Sequence, residues 1–280
     1  MTSVFDARRC VLGEGPLWHP LRGQLFWFDI LGKRMLSRVG DQVLGWQFDE
    51  YVSAAGWVDQ DTLFMASQTG FYRFDIGSGT RELIQPLEAD NPMTRSNDGR
   101  ADPQGGFWIG TMGTSGEPGA GAIYRFYRGE VRKLFADITI SNAICFSPAG
   151  DIAYFSDTET GKIMSQPLDA EGWPSGAPAV FVDLSDEGLN PDGAVVDSTG
   201  NLWNAQWGAH RVACYSPEGV LLQSVTFAAK QVSCPAFGGP NLSTLYATSA
   251  AEGLDGEADG LTYFQNLTEV TGQAEHQVIL

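Results

Sequence analysis

Residues 141–157 read SNAICFSPAGDIAYFSD, and residues 190–206 read NPDGAVVDSTGNLWNAQ. Each opens with a small or polar segment, passes into apolar alternation, turns at a Gly/Asp/Pro cluster and enters a second run that carries an aromatic residue. Period-two alternation broken by turn residues of this kind marks paired antiparallel strands. Four more stretches share the pattern: GEGPLWHPLRGQLFWFDI from Gly13, VSAAGWVDQDTLFMAS from Val52, SNDGRADPQGGFWIGTM from Ser96 and VSCPAFGGPNLSTLYATS from Val232. Their second-run aromatics are Phe26, Phe64, Trp108, Tyr154, Trp203 and Tyr246, spaced by 38, 44, 46, 49 and 43 residues, with a mean of 44. A unit of that length holds four short strands and their turns, which is one propeller blade, and six blades fall within the usual four to eight.

The predicted fold is therefore all-β: a six-bladed β-propeller with four antiparallel strands per blade, one domain over residues 1–280. Residues 1–12 precede the first unit and are expected to supply the closing strand of the last blade. The last unit ends with GLTYFQN and HQVIL. A β-sandwich is the rival architecture, but it does not require a period near 44.

Composition agrees and excludes several classes. The 280 residues include 34 Gly and 14 Pro, about one residue in six, which is a large turn inventory. With 43% hydrophobic residues and eight Trp, the chain is too apolar for intrinsic disorder. Its 34 Asp+Glu outnumber 17 Lys+Arg, giving a net charge of −17, so nucleic acid and anionic membranes are poor partners. No apolar run reaches the roughly 20 residues of a membrane span, and MTSVFDARRCVLGEG lacks the form of a secretory signal. Cys10, Cys145, Cys214 and Cys234 are too scattered for a zinc site and read as buried thiols; a cytoplasmic location is expected.

The repeat register also places polar residues together. Counting back 11 or 12 residues from the anchor aromatics reaches Glu14, Asn97, Asn142 and Asp192, whereas the second and sixth units offer Val52 or Ser53 and Cys234 or Pro235. In a propeller this position begins the innermost strand at one mouth of the central channel. Two carboxylates and two amide oxygens converging there suit a hard divalent cation. Without a cation, the two acids would oppose one another's ionisation. Singly, each string (G-E-G-P, N-D-G, N-P-D-G) is an ordinary turn; the shared register is what separates them from turns. No nucleophile elbow, phosphate loop or EF-hand string is present.

LGEGPLWHP, RSNDGRADPQGGFWIGTM, ISNAICFSPAG, NPDGAVVDSTGNLWNAQWGAHRV and SCPAFGGPNLSTLYATSA closely resemble the gluconolactonase/regucalcin (senescence-marker-protein) family, over roughly residues 10–260. The resemblance implies a six-bladed propeller with one divalent cation (Ca, Zn, Mg, Mn or Fe(II)) in the channel, and hydrolysis of sugar lactones to aldonic acids. It implies Glu14, Asn142 and Asp192 as metal ligands, with Asp192 also the catalytic base. It further implies Arg95 and Asn97 as substrate-binding residues, joined by Glu117 as the nearest acid after G-T-M. The family's S-N-G is S-N-A here, at Ala143. The implied partner is a small sugar lactone, with the protein a monomer or weak homodimer. Two other functions fit the scaffold: a metal-dependent esterase or phosphotriesterase, and a non-catalytic interaction platform, which needs no convergent carboxylates. Trp207 reads as a packing residue rather than a sugar-stacking one.

Overall fold

In the computed structural model, which describes all 280 residues, the chain folds into six four-stranded antiparallel sheets and has only two three-residue 3-10 turns for helix. No helix is long and apolar enough to cross a membrane. Five sheets each take four consecutive strands. The sixth joins three C-terminal strands to the N-terminal strand Ser3–Asp6, which pairs with Thr262–Asn266 at the outer edge. The sheets form a closed ring of blades, six-bladed as the repeat predicts.

Each anchor aromatic lies on the second strand of its blade and is buried. They are buried because the core consists of six clusters, each filling the space between two neighbouring blades. One holds Phe26, Phe28, Met35 and Leu63 between blades 1 and 2; another holds Phe64, Phe71, Phe107 and Phe126 between blades 2 and 3. A strand sandwiched on both faces needs apolar side chains on both, which explains why runs such as Gln24–Asp29 are buried throughout. The smallest cluster, Cys10, Leu25, Trp27, Leu36 and Tyr246, lies at the seam where blade 6 meets blade 1. Phe5 of the closing strand reinforces that seam, with ring centroids 5.0 Å from Tyr246 and 5.9 Å from Trp27, both edge-on.

The innermost strands are Gly13–His19, Val52–Trp57, Thr94–Ala101, Ser141–Phe146, Asn190–Val196 and Gln231–Gly238. All six pair irregularly with their second strands at the same place, between Glu14 and Leu17, Val52 and Ala54, Ser96 and Gly99, Asn142 and Cys145, Pro191 and Ala194, and Val232 and Pro235. Such bulges bend a strand and re-aim its side chains. Here they turn one residue per blade toward the axis.

One expectation is corrected. GLTYFQN forms the third strand of blade 6, but HQVIL belongs to no blade. The closing N-terminal strand already fills that blade's outer position, so the chain after Asn266 is left to cross the opposite end of the channel. Gly272 bridges to Asp197 of blade 5, Gln273 Nε2 donates to Phe146 O and Val196 O (both 3.1 Å), and the Val278 and Ile279 amides donate to Trp57 O and Gly105 O (both 2.9 Å). Under this tail, Glu275 forms a nearly buried ion pair with Arg100. The tail thereby packs across the end of the channel opposite the mouth where the inner strands begin.

Candidate functional site

At the open mouth lies a cavity of about 220 Å3 lined by 11 residues, among them Glu14, Arg95, Asn97, Asn142 and Asp192. All five are buried, between 3% and 6% exposed. They come from blades 1, 3, 4 and 5, so only ring closure brings them together. The local backbone that aims them is tight. Glu14 is followed by Gly15 at φ +53°, where an added Cβ would sit 2.2 Å from Ser53 O. Asp192 is followed by Gly193, whose Cβ would meet Cys234 Sγ at 2.3 Å. Ala143, after Asn142, holds the same left-handed conformation at φ 58°, so the turn survives the absence of the family's glycine.

A single hydrogen-bond relay orients the amides. Arg95 Nη1 donates to Asn97 Oδ1 (2.7 Å), Asn97 Nδ2 to Asn142 Oδ1 (3.2 Å), Asn142 Nδ2 to Thr158 Oγ1 (2.8 Å), and Thr158 Oγ1 to Pro191 O (2.8 Å). A guanidinium can only donate and a carbonyl can only accept. The two ends therefore dictate the direction of every link, and Asn142 Oδ1 faces the channel rather than Thr158.

The electrostatics concentrate negative charge. Burial, with Asp98 nearby, pushes the Glu14 carboxyl up to about 8. Burial and the charges of Glu14 and Asp98 push Asp192 well above the usual carboxylate range. Asp98, whose Oδ2 accepts the Ile144 amide at 2.7 Å, is pushed up to about 6, again mainly by burial. Burial pulls the Arg95 guanidinium down, against the opposing pull of Glu14 and Glu252. Carboxylates so placed are costly to ionise unless a positive charge joins them. Glu14, Asp192 and the channel-facing Asn142 oxygen therefore fit a divalent cation. No cluster of three or more His, Cys, Asp or Glu side chains is arranged to hold a metal, so a cation here would rest on mixed carboxylate and amide oxygens, a hard donor set.

Glu117 is not among the lining residues. It lies on the loop after Gly113, and its Oε2 accepts the Ser115 amide at 3.0 Å. The cavity instead takes a different acid, Glu252, together with Met112, Thr158 and Trp207, which the sequence reading passed over or assigned to packing. A second register would have found three of these four. In an antiparallel blade the second strand ends beside the start of the first, so the residue four past the anchor aromatic returns to the same mouth. From Trp108, Tyr154 and Trp203 that residue is Met112, Thr158 and Trp207. The four cysteines are buried and free.

Known proteins resemble this chain along most of its length. A family model described as the SMP-30/gluconolactonase/LRE-like region matches residues 12–251. An L-arabinolactonase of Azospirillum brasilense is 36% identical over 273 residues, covering 92% of this chain and 86% of that protein. A 6-deoxy-6-sulfogluconolactonase of Pseudomonas putida is 34% identical over 252 residues, covering 88% and 86%. The crystal structure of regucalcin, a calcium-binding protein of Agrobacterium tumefaciens, superposes with a TM-score of 0.96 at 40% identity, covering 99% of this chain and 97% of that one. The chain belongs to the SMP-30/gluconolactonase/LRE-like family.

Proposed function

We propose that the cavity hydrolyses the ring ester of a sugar lactone to the open aldonic acid, with Glu14, Asn142 and Asp192 holding a divalent cation. The observation that carries the reading is the convergence of two buried carboxylates, two oriented amides and one guanidinium in a single cavity on this family's frame. At about 220 Å3 it is smaller than the roughly 300–1,000 Å3 of drug-sized sites and suits one small ring. When bound, the cation supplies polarisation of the lactone carbonyl.

The protein's own groups do the rest. Arg95 and Asn97 hydrogen-bond ring substituents and fix the lactone against the floor, which removes orientational freedom before reaction. Asp192 takes a proton from water as its oxygen bonds to the carbonyl carbon. When the bond from that carbon to the ring oxygen breaks, Asp192 returns the proton to the departing oxygen, which becomes a hydroxyl. One lactone and one water give one hydroxy acid, and the acid then sheds a proton to solvent. A lactone is an activated ester, so no serine nucleophile is needed.

The test is a panel of aldono-1,4- and 1,5-lactones followed by proton release, with chelator and with each of Ca, Zn, Mg, Mn and Fe(II). Asp192→Ala is expected to lower kcat/KM by about 100-fold or more and to reduce metal content. Full activity in that variant, or no turnover of any lactone by the wild type, would refute the reading.

A further inference from the structure

Glu252 sits where a specificity residue would. In a six-membered ring, blades 3 and 6 face one another. Arg95, on the inner strand of blade 3, and Glu252, just past the second strand of blade 6, therefore look across the same cavity. Glu252 is exposed at the mouth, and its carboxylate makes no ion pair or side-chain hydrogen bond with the protein. Its backbone, in contrast, is held firmly. Leu254 N donates to Ala251 O (3.0 Å), closing a four-residue turn with Gly253 at φ +68° in the third place, where a type II turn requires glycine. The turn is tied to the N-terminal segment by Ala251 N to Val11 O (3.0 Å) and Arg9 Nη2 to Leu254 O (2.7 Å). A rigid turn that presents an uncommitted acid to a cavity differs from a solvated surface acid: its backbone is fixed at the mouth, and the one cationic side chain across the cavity, Arg95, forms no ion pair with it.

The charge balance of the lining gives that placement a consequence. Glu14, Asp192 and Glu252 face a single cationic side chain, Arg95, whose Nη1 is already engaged by Ser96 O and Asn97 Oδ1. A divalent cation on the floor would bring the lining to neutrality and leave no positive excess for an anionic substituent. With the lactone carbonyl on the floor, the far end of the sugar projects toward the mouth, beside Trp207 and Glu252.

We propose that Glu252 is a charge-selecting residue that restricts this site to neutral sugar lactones and rejects lactones carrying a phosphate, sulfonate or carboxylate at the far end. The inference rests on the lactonase reading above. A like charge held at the mouth of a narrow cavity discriminates by repulsion, which needs no new contact with the preferred substrate.

The experiment compares kcat/KM for glucono-1,5-lactone and 6-phosphoglucono-1,5-lactone in the wild type, Glu252→Gln and Glu252→Asp. The same comparison is made without turnover, by calorimetric titration of gluconate and 6-phosphogluconate. The wild type is expected to favour the neutral member of each pair. In Glu252→Gln the preference should shrink by about tenfold in both measurements, with Glu252→Asp keeping most of it. A misplaced turn would weaken both ligands together and leave the ratio unchanged. If the wild type turns over neutral lactones but the ratio is the same in Glu252→Gln, the charge-selecting role is wrong and the lactonase reading stands. If no lactone is turned over, both fall together.

Discussion

Gly15 and Ala143 occupy equivalent places, each after a candidate cation ligand and each in the left-handed region, yet the two positions are not interchangeable. At Gly15 an added methyl would collide with the Ser53 carbonyl at 2.2 Å, whereas Ala143 already carries its methyl in a buried cluster beside Cys145 and Ala194. Gly15→Ala should therefore cost about 3 kcal/mol or more in urea unfolding and displace Glu14, because both the backbone and the inner strand of blade 2 must yield. An unchanged midpoint would show that the strands are not so closely apposed. Asp98 gives a pH signature. Its carboxyl is pushed from 3.8 up to about 6, so between those values the folded protein holds a proton that the unfolded chain releases. Stability from this group falls as pH rises through that window and is level above it. Asp98→Asn keeps an acceptor for the Ile144 amide and has no proton to lose. In chelator, its advantage over wild type should grow by about 2–3 kcal/mol from pH 4 to pH 6 and then level off. Parallel stability profiles would disprove the assignment.

Among the elements, the inner strands and the short links after the second strands divide the work. The inner strands supply the acids and amides, and their common bulge aims them. The links line the mouth, and Thr158, opening the 3-10 turn Thr158–Thr160, ends the relay that sets the Asn142 amide. Thr158→Val removes the hydroxyl that both accepts from Asn142 and donates to Pro191 O, freeing the amide to turn its nitrogen toward the channel. Divalent-cation affinity measured by calorimetry should fall about tenfold, as for other groups that orient a ligand from behind. Retained affinity would mean that Asn97 alone holds Asn142. Arg95 was reached only through the family's R-x-N-D-G motif, but Glu14, Asn97, Asn142 and Asp192 were legible in the sequence because the register is carried by buried aromatics with a regular period. Glu252 was not. It lies six residues past its anchor rather than four, on a turn whose position depends on hydrogen bonds to residues 9–11.

Over the whole molecule, the ring is closed twice. The N-terminal strand completes blade 6 through its backbone ladder and Phe5, and the C-terminal tail spans the lower end of the channel. The tail is held by isolated backbone bridges and by a buried charge pair rather than by a full strand ladder. Arg100 points down the channel from blade 3 and finds Glu275, at side-chain exposures of 10% and 7%. Removing one member of such a pair strands the other in a poorly solvated interior. Glu275→Ala should therefore cost roughly 3–5 kcal/mol in urea unfolding, although the Glu275 carbonyl still accepts Trp57 Nε1. A cost below about 1 kcal/mol would indicate that water reaches Arg100 beneath the tail.

The sequence by itself determined the number of blades and the inner-strand register of Glu14, Asn97, Asn142 and Asp192, because both are written as a local period: alternation of two for the strands, and a mean of 44 between buried aromatics. Tertiary structure alone decided that Glu252 rather than Glu117 lines the cavity and that the tail crosses the far end of the channel. Those outcomes depend on how loops and termini meet across the ring, through contacts between residues from 75 positions apart (Asp197 and Gly272) to 245 (Arg9 and Leu254), and no local pattern encodes contacts of that range.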